Sequence, residues 1–132
     1  MSTAPGLGLR VVIGLLALIG LAGVLPVSLA ELSSESDCPH LGAIPACYLV
    51  NVAYVTMLIT ALNRRFWSLW YFFAGWALVF ILAATGSVLE ILGYGTCPRT
   101  GSETPMCFLS LGLVVAMAVP VSVHLLQVSR KD

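Results

Sequence analysis

Charged side chains are scarce in this chain. Six Lys and Arg and six Asp and Glu make up 9% of the 132 residues, and their charges cancel to a net charge of zero. An ordinary soluble domain carries about 25% charged residues, and a nucleic-acid-binding domain shows a basic excess. The composition therefore argues against a soluble domain, and we expect no nucleic-acid partner.

Several motifs that carry chemistry are missing as well. The sequence has no Gly-rich phosphate loop, no nucleophile triad, no clustered His, Asp and Glu, and no Cys-x-x-Cys. The two histidines, His40 and His124, lie in different regions of the chain, so a haem held by two histidines is not expected. No apolar run carries a central charge of the kind that marks ion pathways. We expect no metal and no resident cofactor.

Long apolar runs dominate what is present. Hydrophobic residues make up 59% of the chain, and the mean hydropathy is +1.00. Four apolar stretches run roughly over 9–30, 44–62, 66–89 and 106–127, and about 20 helical residues cross a hydrocarbon core. The sequence predicts an all-α membrane protein with four transmembrane helices in one compact bundle, a single domain over 1–132 in contact with the lipid bilayer.

The charges predict how these helices are oriented. Five basic residues fall on one side of the predicted spans and only Arg99 falls on the other; the five are Arg10, Arg64, Arg65, Arg130 and Lys131. The side rich in Lys and Arg is cytoplasmic. Both termini are therefore expected in the cytoplasm of a bacterial or archaeal cell, with the two longer loops outside its plasma (inner) membrane. Acidic residues accompany those loops: Glu31, Glu35, Asp37, Glu90 and Glu103.

A segment of about 30 residues occurs twice in the chain. Ten residues in 28–57 recur 59 or 60 positions later, where about two identities are expected by chance. They are Ser28, Glu31, Cys38, Pro39, Gly42, Pro45, Cys47, Leu49, Val55 and Met57, matched by Ser87, Glu90, Cys97, Pro98, Gly101, Pro105, Cys107, Leu109, Val115 and Met117. We interpret the chain as two parallel helix–loop–helix repeats, about 9–62 and 66–127, related by an axis along the membrane normal.

The first apolar run has a second interpretation. Arg10, the run itself and Ser28-Leu29-Ala30 resemble a signal peptide with its cleavage site. Because Ser28 and Glu31 recur beside a later span as Ser87 and Glu90, the repeat favours a helix that stays in the protein.

Small residues and one tryptophan indicate contact faces. Close backbone approach supplies packing between helices in lipid. The candidates are Gly14, Ala17, Gly20 and Gly23 in the first stretch, Ala83, Ala84, Gly86 and Ser87 in the third, and Gly112 and Ala116 in the fourth. Trp76 is expected to face lipid or a partner protein.

Four cysteines form the most specific signal. Cys38, Cys47, Cys97 and Cys107 lie in the two outer loops, and four cysteines allow three pairings. We favour Cys38–Cys47 and Cys97–Cys107, because a duplication copies a complete unit. Each bond would close a loop of about ten residues and stabilise it by about 2–3 kcal/mol in the chain-entropy model. Pro39, Pro45, Pro98 and Pro105 stiffen the same loops, so structural disulfides are the first hypothesis.

Two other roles for the cysteines stay open. Two cysteine pairs on the outer loops of a four-helix membrane protein resemble the disulfide-bond-formation oxidoreductases and, in outline, the vitamin K epoxide reductases. That resemblance implies thiol–disulfide exchange with a thioredoxin-like partner and a quinone as electron acceptor, and makes all four cysteines redox candidates. The sequence departs from both families in lacking Cys-x-x-Cys. Zinc or copper binding by four thiolates is a third hypothesis, although zinc ligands come at closer spacing.

The repeated Ser and Glu are the other candidate site. Ser28 and Glu31, and likewise Ser87 and Glu90, are three residues apart and share a helix face. If the two carboxylates converge at the symmetry axis, they could share a proton or hold a cation. The simpler hypothesis places them at the outer helix ends, where carboxylates reach water.

Taken together, these features predict a non-catalytic accessory or structural subunit of a membrane assembly, with a membrane-protein partner or a second copy of the chain. The alternative is a membrane thiol–disulfide oxidoreductase.

Overall fold

The described part of the chain is all-α apart from one short hairpin. The computed structural model describes residues 6–33, 38–63, 69–95, 97–99 and 103–131, and the side chain of residue 69 is not described. Among them are four helices, α1 (Leu7–Leu32), α2 (Ala46–Leu62), α3 (Leu69–Ile91) and α4 (Met106–Lys131). Strands β1 (His40–Leu41) and β2 (Ile44–Pro45) pair antiparallel before α2. The expectations for Glu35, Asp37, Arg64, Arg65 and Gly101 lie outside the described residues.

The four helices match the four apolar stretches. Helices α1, α3 and α4 have 26, 23 and 26 residues and are long and apolar enough to cross a membrane. Helix α2 is apolar but has 17 residues. At 1.5 Å per residue it is about 26 Å long, which is slightly less than a hydrocarbon core of about 30 Å. Length therefore supports three of the four predicted spans directly.

The helices form a ring in chain order. Each packs against the next, and α4 packs back against α1 less extensively. All four helices contribute to one core. Its fully buried side chains include one from each helix: Ile13, Tyr54, Phe72 and Met117. Met57, the repeat counterpart of Met117, is also fully buried. Methionine fills irregular gaps in such cores.

The predicted contact face of α1 is confirmed, and that of α4 is wrong. Gly14, Ala17 and Gly20 are buried, and a Cβ added at Gly20 would overlap the ring of Tyr54. Glycine at this position lets the tyrosine ring lie against the helix backbone. Gly112 and Ala116 are exposed, and a Cβ on Gly112 would meet nothing within 4 Å.

Trp76 contacts the protein itself, contrary to expectation. Its indole Nε1–H donates to the carbonyl oxygen of Val114 at 2.8 Å, and its ring stacks on Phe80 with centroids 5.1 Å apart. This hydrogen bond connects α3 to α4 and gives the half-buried indole N–H an acceptor within the protein.

Arg10 of α1 caps the C-terminal end of α2. Its Nε donates to the carbonyl oxygen of Ala61 at 2.8 Å and its Nη2 to that of Leu62 at 2.5 Å. The last carbonyls of a helix have no partners within the helix, and a cation there is favoured by the helix dipole. The sequence marks Arg10 as a topology signal, and the structure adds a capping role.

Candidate functional site

Each cysteine-bearing loop is closed by its own disulfide. Cys38 is bonded to Cys47 and Cys97 to Cys107, with Cα–Cα distances of 6.1 and 5.9 Å. No cysteine is free. Of the three possible pairings, this is the one that the repeat favours. Cys47 and Cys107 are each the second residue of a helix, α2 and α4, so each bond ties a loop to the start of the next helix.

The first loop is a hairpin held by two further backbone contacts. His40 pairs with Pro45 in the two-stranded ladder, and the carbonyl oxygen of Pro39 accepts the N–H of Ala46 at 2.8 Å. That amide belongs to the first residue of α2 and has no partner within the helix. The turn between the strands contains Gly42 with φ of 69°, a conformation that glycine adopts without strain.

Glu31 connects this hairpin to the end of α1. Its Oε2 accepts the backbone N–H of Cys38 at 3.3 Å, and its Oε1 lies 3.4 Å from His40 Nε2. The Glu31 side chain is 14% exposed, whereas that of His40 is 54% exposed. The carboxylate is thus covered by the loop that it holds.

The second loop has three corresponding contacts. Arg99 forms a bridge with Pro105, and the carbonyl oxygen of Pro98 accepts the N–H of Met106, the first residue of α4, at 3.0 Å. Glu90 Oε1 accepts a hydrogen bond from Arg99 Nη2 at 2.7 Å. The Glu90 side chain is 8% exposed and that of Arg99 57%, so in this loop a buried carboxylate meets a guanidinium on the loop surface.

Residues at corresponding positions therefore make similar contacts in both loops. Glu31 and Glu90, His40 and Arg99, and Pro39 and Pro98 are each 59 positions apart, while Pro45 and Pro105 are 60 apart. Sequence comparison by identity missed the pairing of His40 with Arg99, because the residues differ. The available signal was that each stands two residues after the first cysteine of its loop and carries nitrogen donors.

The sulfur atoms of the first disulfide are shielded. Cys38 and Cys47 are 3% and 6% exposed, and Cys97 is 5% exposed. Cys107 is partly exposed. A Cβ added at Gly86 on α3 would come within 2.6 Å of Cys107 Sγ and 3.1 Å of Cys97 Sγ. The second disulfide thus packs on bare helix backbone, at a position where any side chain would displace it.

The two serines differ in their partners. Ser28 is buried, and its Oγ donates to the carbonyl oxygen of Val24 at 3.1 Å and accepts from Asn51 Nδ2. Ser87 is equally buried, but neither its Oγ nor Glu90 Oε2 has a hydrogen-bond partner among the described residues. The counterpart of Asn51 is Leu111, which has no donor to offer. The proton or cation site at Ser28, Glu31, Ser87 and Glu90 stays a prediction.

An apolar cavity of about 280 Å³ lies between the two loops. Its wall includes Pro39 and Cys47 from the first half of the chain and Pro98 and Cys107 from the second. One cysteine of each disulfide thus borders the same space. Sequence reasoning missed this cavity, because it depends on how loops and helix ends from both halves are placed together.

No protein-family model, curated protein or solved structure matches the chain. The function is therefore inferred from the geometry of the loops, their braces and the cavity.

Proposed function

We propose that the chain is a small integral membrane protein that serves as a non-catalytic accessory or structural subunit, with its two braced loops as contact surfaces. A second copy of the chain or another membrane protein would be the partner. The observation that carries this proposal is the matched set of braces, a disulfide, a buried carboxylate with a loop donor and a capping carbonyl, present in each loop. Such loops are preorganised for contact.

Membrane placement is supported by the outer faces of the helices. Large apolar side chains are exposed on every helix, for example Leu15 at 55%, Ile59 at 52%, Ile81 at 60% and Val119 at 62%. Apolar exposure on this scale is unusual for a monomer in water and fits contact with lipid. Helix α2, although short, would also span the membrane. Arg10 of α1 is bound at its last carbonyls, and the charged end of Arg10 would reach the headgroup region.

Orientation follows from the charges at the two ends of the bundle. Arg10 lies at the start of α1, and Arg130 and Lys131 lie in the last turn of α4. By the distribution of Lys and Arg, this end is cytoplasmic, so both braced loops are extracytoplasmic. Parallel duplication, with its axis along the membrane normal, is supported by the shared contacts of the two loops.

Site-directed labelling tests the topology. All four native cysteines are in disulfides, so a single introduced thiol is the reactive one. Leu41→Cys, in the hairpin, should react with a membrane-impermeant maleimide on intact spheroplasts. Ser129→Cys, near the end of α4, should react only after permeabilisation. Labelling with the opposite pattern, or of both thiols from outside, contradicts the orientation.

Resistance to reductant tests the structural role of the disulfides. In purified protein under mild dithiothreitol, alkylation and mass mapping should find the Cys38–Cys47 bond still closed, because both of its sulfurs are buried and not accessible to an attacking thiolate. Denaturant should make all four cysteines reactive. Rapid reduction of both bonds in the folded protein argues for the alternative function.

That alternative is a thiol–disulfide oxidoreductase, and one observation favours it. Cys47 and Cys107 border one cavity, in which a quinone could accept electrons. A thioredoxin-like partner with two thiols would be oxidised to its disulfide as one loop disulfide is reduced to two thiols. Reoxidation of those thiols would pass two electrons and two protons to the quinone, which leaves as the quinol.

A further inference from the structure

The cavity between the loops is lined almost entirely by carbon. Its helical wall includes Val24, Val50, Val79, Leu82 and Leu89. The hydroxyls of Thr85 and Ser110 and the ring of His40 are its polar side-chain groups. A lining of this kind favours apolar ligands.

Small residues create the space. Ala83 of α3 and Ala46, the first residue of α2, both line it. At about 280 Å³ the cavity has roughly twice the volume of the 150 Å³ cavity that holds benzene, and lies near the lower end of ligand pockets. By proportion it accommodates about a dozen carbon atoms.

The walls are fixed in place. The disulfides hold Cys47 and Cys107 at the edges of the cavity, and Pro39 and Pro98 stiffen the loop segments beside them. Collapse of the cavity would require these braces to move. A preformed site of this kind does not lose affinity to loop ordering when a ligand enters.

The loop edge of the cavity suggests the polar end of the ligand. His40 lines the cavity, and Arg99 is the residue next to Pro98, which lines it; the side chains of His40 and Arg99 are more than half exposed. Arg99 bonds Glu90 through one nitrogen, Nη2, and a guanidinium has five N–H donors in all. An anionic phosphate fits this edge.

From these features we propose that the cavity binds one hydrocarbon chain of an anionic phospholipid from the outer leaflet, with its phosphate beside His40 and Arg99. This rests on the membrane placement proposed above. Lipid bound at this position would become part of the surface that the two loops present to a partner.

Photolabelling tests the lipid site. The protein is reconstituted in vesicles of phosphatidylethanolamine and phosphatidylglycerol, with a trace of phosphatidylglycerol carrying a diazirine in one acyl chain. After illumination, mass mapping should find at least fivefold more label on the cavity wall of α3, around Ala83, than around exposed Ala74 on the same helix. Equal labelling at both positions overturns the proposal.

A matched pair of variants makes the test specific. Ala83→Phe fills the cavity and should reduce cavity labelling at least fivefold, whereas Ala74→Phe adds the same side chain to an exposed face and should leave it unchanged. Val50→Phe fills the cavity from α2 if Ala83→Phe fails to fold, as judged by helical circular dichroism and intact disulfides. Undiminished cavity labelling in a folded, filled variant overturns the proposal.

A competition arm separates the two possible sources of a hydrocarbon chain. In vesicles of phosphatidylethanolamine that carry only the labelled phosphatidylglycerol, added unlabelled phosphatidylglycerol should displace the label, and an equal amount of a short-chain quinone should not. Displacement by the quinone alone overturns lipid binding and supports the redox alternative. Failure of the labelling while the introduced thiols Leu41→Cys and Ser129→Cys react as expected would reject the lipid site and leave the membrane topology standing.

Discussion

The pair of Glu90 and Arg99 provides the sharpest test of whether the loops are braced. Their Oε1 and Nη2 atoms are 2.7 Å apart, the carboxylate side chain is 8% exposed and the guanidinium side chain 57%. Breaking a fully buried pair costs about 3–5 kcal/mol, and exposed pairs contribute about 0.2–1 kcal/mol. With one partner buried and one on the surface, Arg99→Ala should lower the free energy of unfolding by about 2 kcal/mol.

A double-mutant cycle isolates the pair itself. Glu90→Gln should cost about 1.5 kcal/mol, and the double variant about 2 kcal/mol, because removing both charges leaves no buried charge unpaired. The coupling energy is then about 1.5 kcal/mol. Unfolding by sodium dodecyl sulfate in mixed micelles, followed by circular dichroism, measures all four proteins.

The first loop supplies the control. His40→Ala should cost less than about 1 kcal/mol, because Glu31 keeps its hydrogen bond from the backbone N–H of Cys38 and its contact with His40 is long, at 3.4 Å. A coupling energy below about 0.3 kcal/mol between Glu90 and Arg99 would refute the bracing role. It would return Glu90 to consideration as a proton or cation ligand.

Two further predictions concern helix packing. Gly20→Ala should destabilise the protein by about 1–3 kcal/mol, because its Cβ would overlap the buried ring of Tyr54. Gly14→Ala has its nearest neighbours 4.0 Å away and should be neutral or stabilising by up to about 1 kcal/mol. Detergent unfolding of the two variants side by side checks this, and equal effects would contradict the packing. Arg10→Ala should lower the free energy of unfolding by about 1–2 kcal/mol. Arg10→Lys should lower it by about half as much, because an ammonium keeps the charge but cannot hold two carbonyls with a planar fork. A fully stable Arg10→Ala protein would show that the contacts of Arg10 with α2 contribute nothing.

Hydropathy predicted the helices well because it reports burial in an apolar medium directly. The second stretch, expected over 44–62, begins at Ala46, because Ile44 and Pro45 pair with the preceding strand. The fourth stretch, expected to end near 127, continues to Lys131. Arg130 and Lys131 in its last turn suit a helix C-terminus, although hydropathy alone excludes them from the apolar run.

The loops were only partly predictable. Their disulfide pairing followed from the repeat, whereas the partners of Glu31 and Glu90 did not, because His40 and Arg99 are not identical residues. Trp76 was misjudged since hydropathy does not reveal that its indole N–H reaches the carbonyl of Val114 across to another helix. The cavity depends on small residues from α2 and α3 facing one another, which requires the arrangement of the helices.

We propose that the two disulfides are structural braces and stay closed in the cell. This is measured by acid quenching of cells expressing the native chain and the single variants Cys47→Ala and Cys107→Ala, followed by alkylation and mass mapping of every cysteine. We expect Cys38, Cys47, Cys97 and Cys107 all to be bonded within their loops in the native chain, and neither variant to form a mixed disulfide with another protein. A substantial reduced fraction in the native chain, or a mixed disulfide with a thioredoxin-like protein through Cys38 or Cys97, would contradict it.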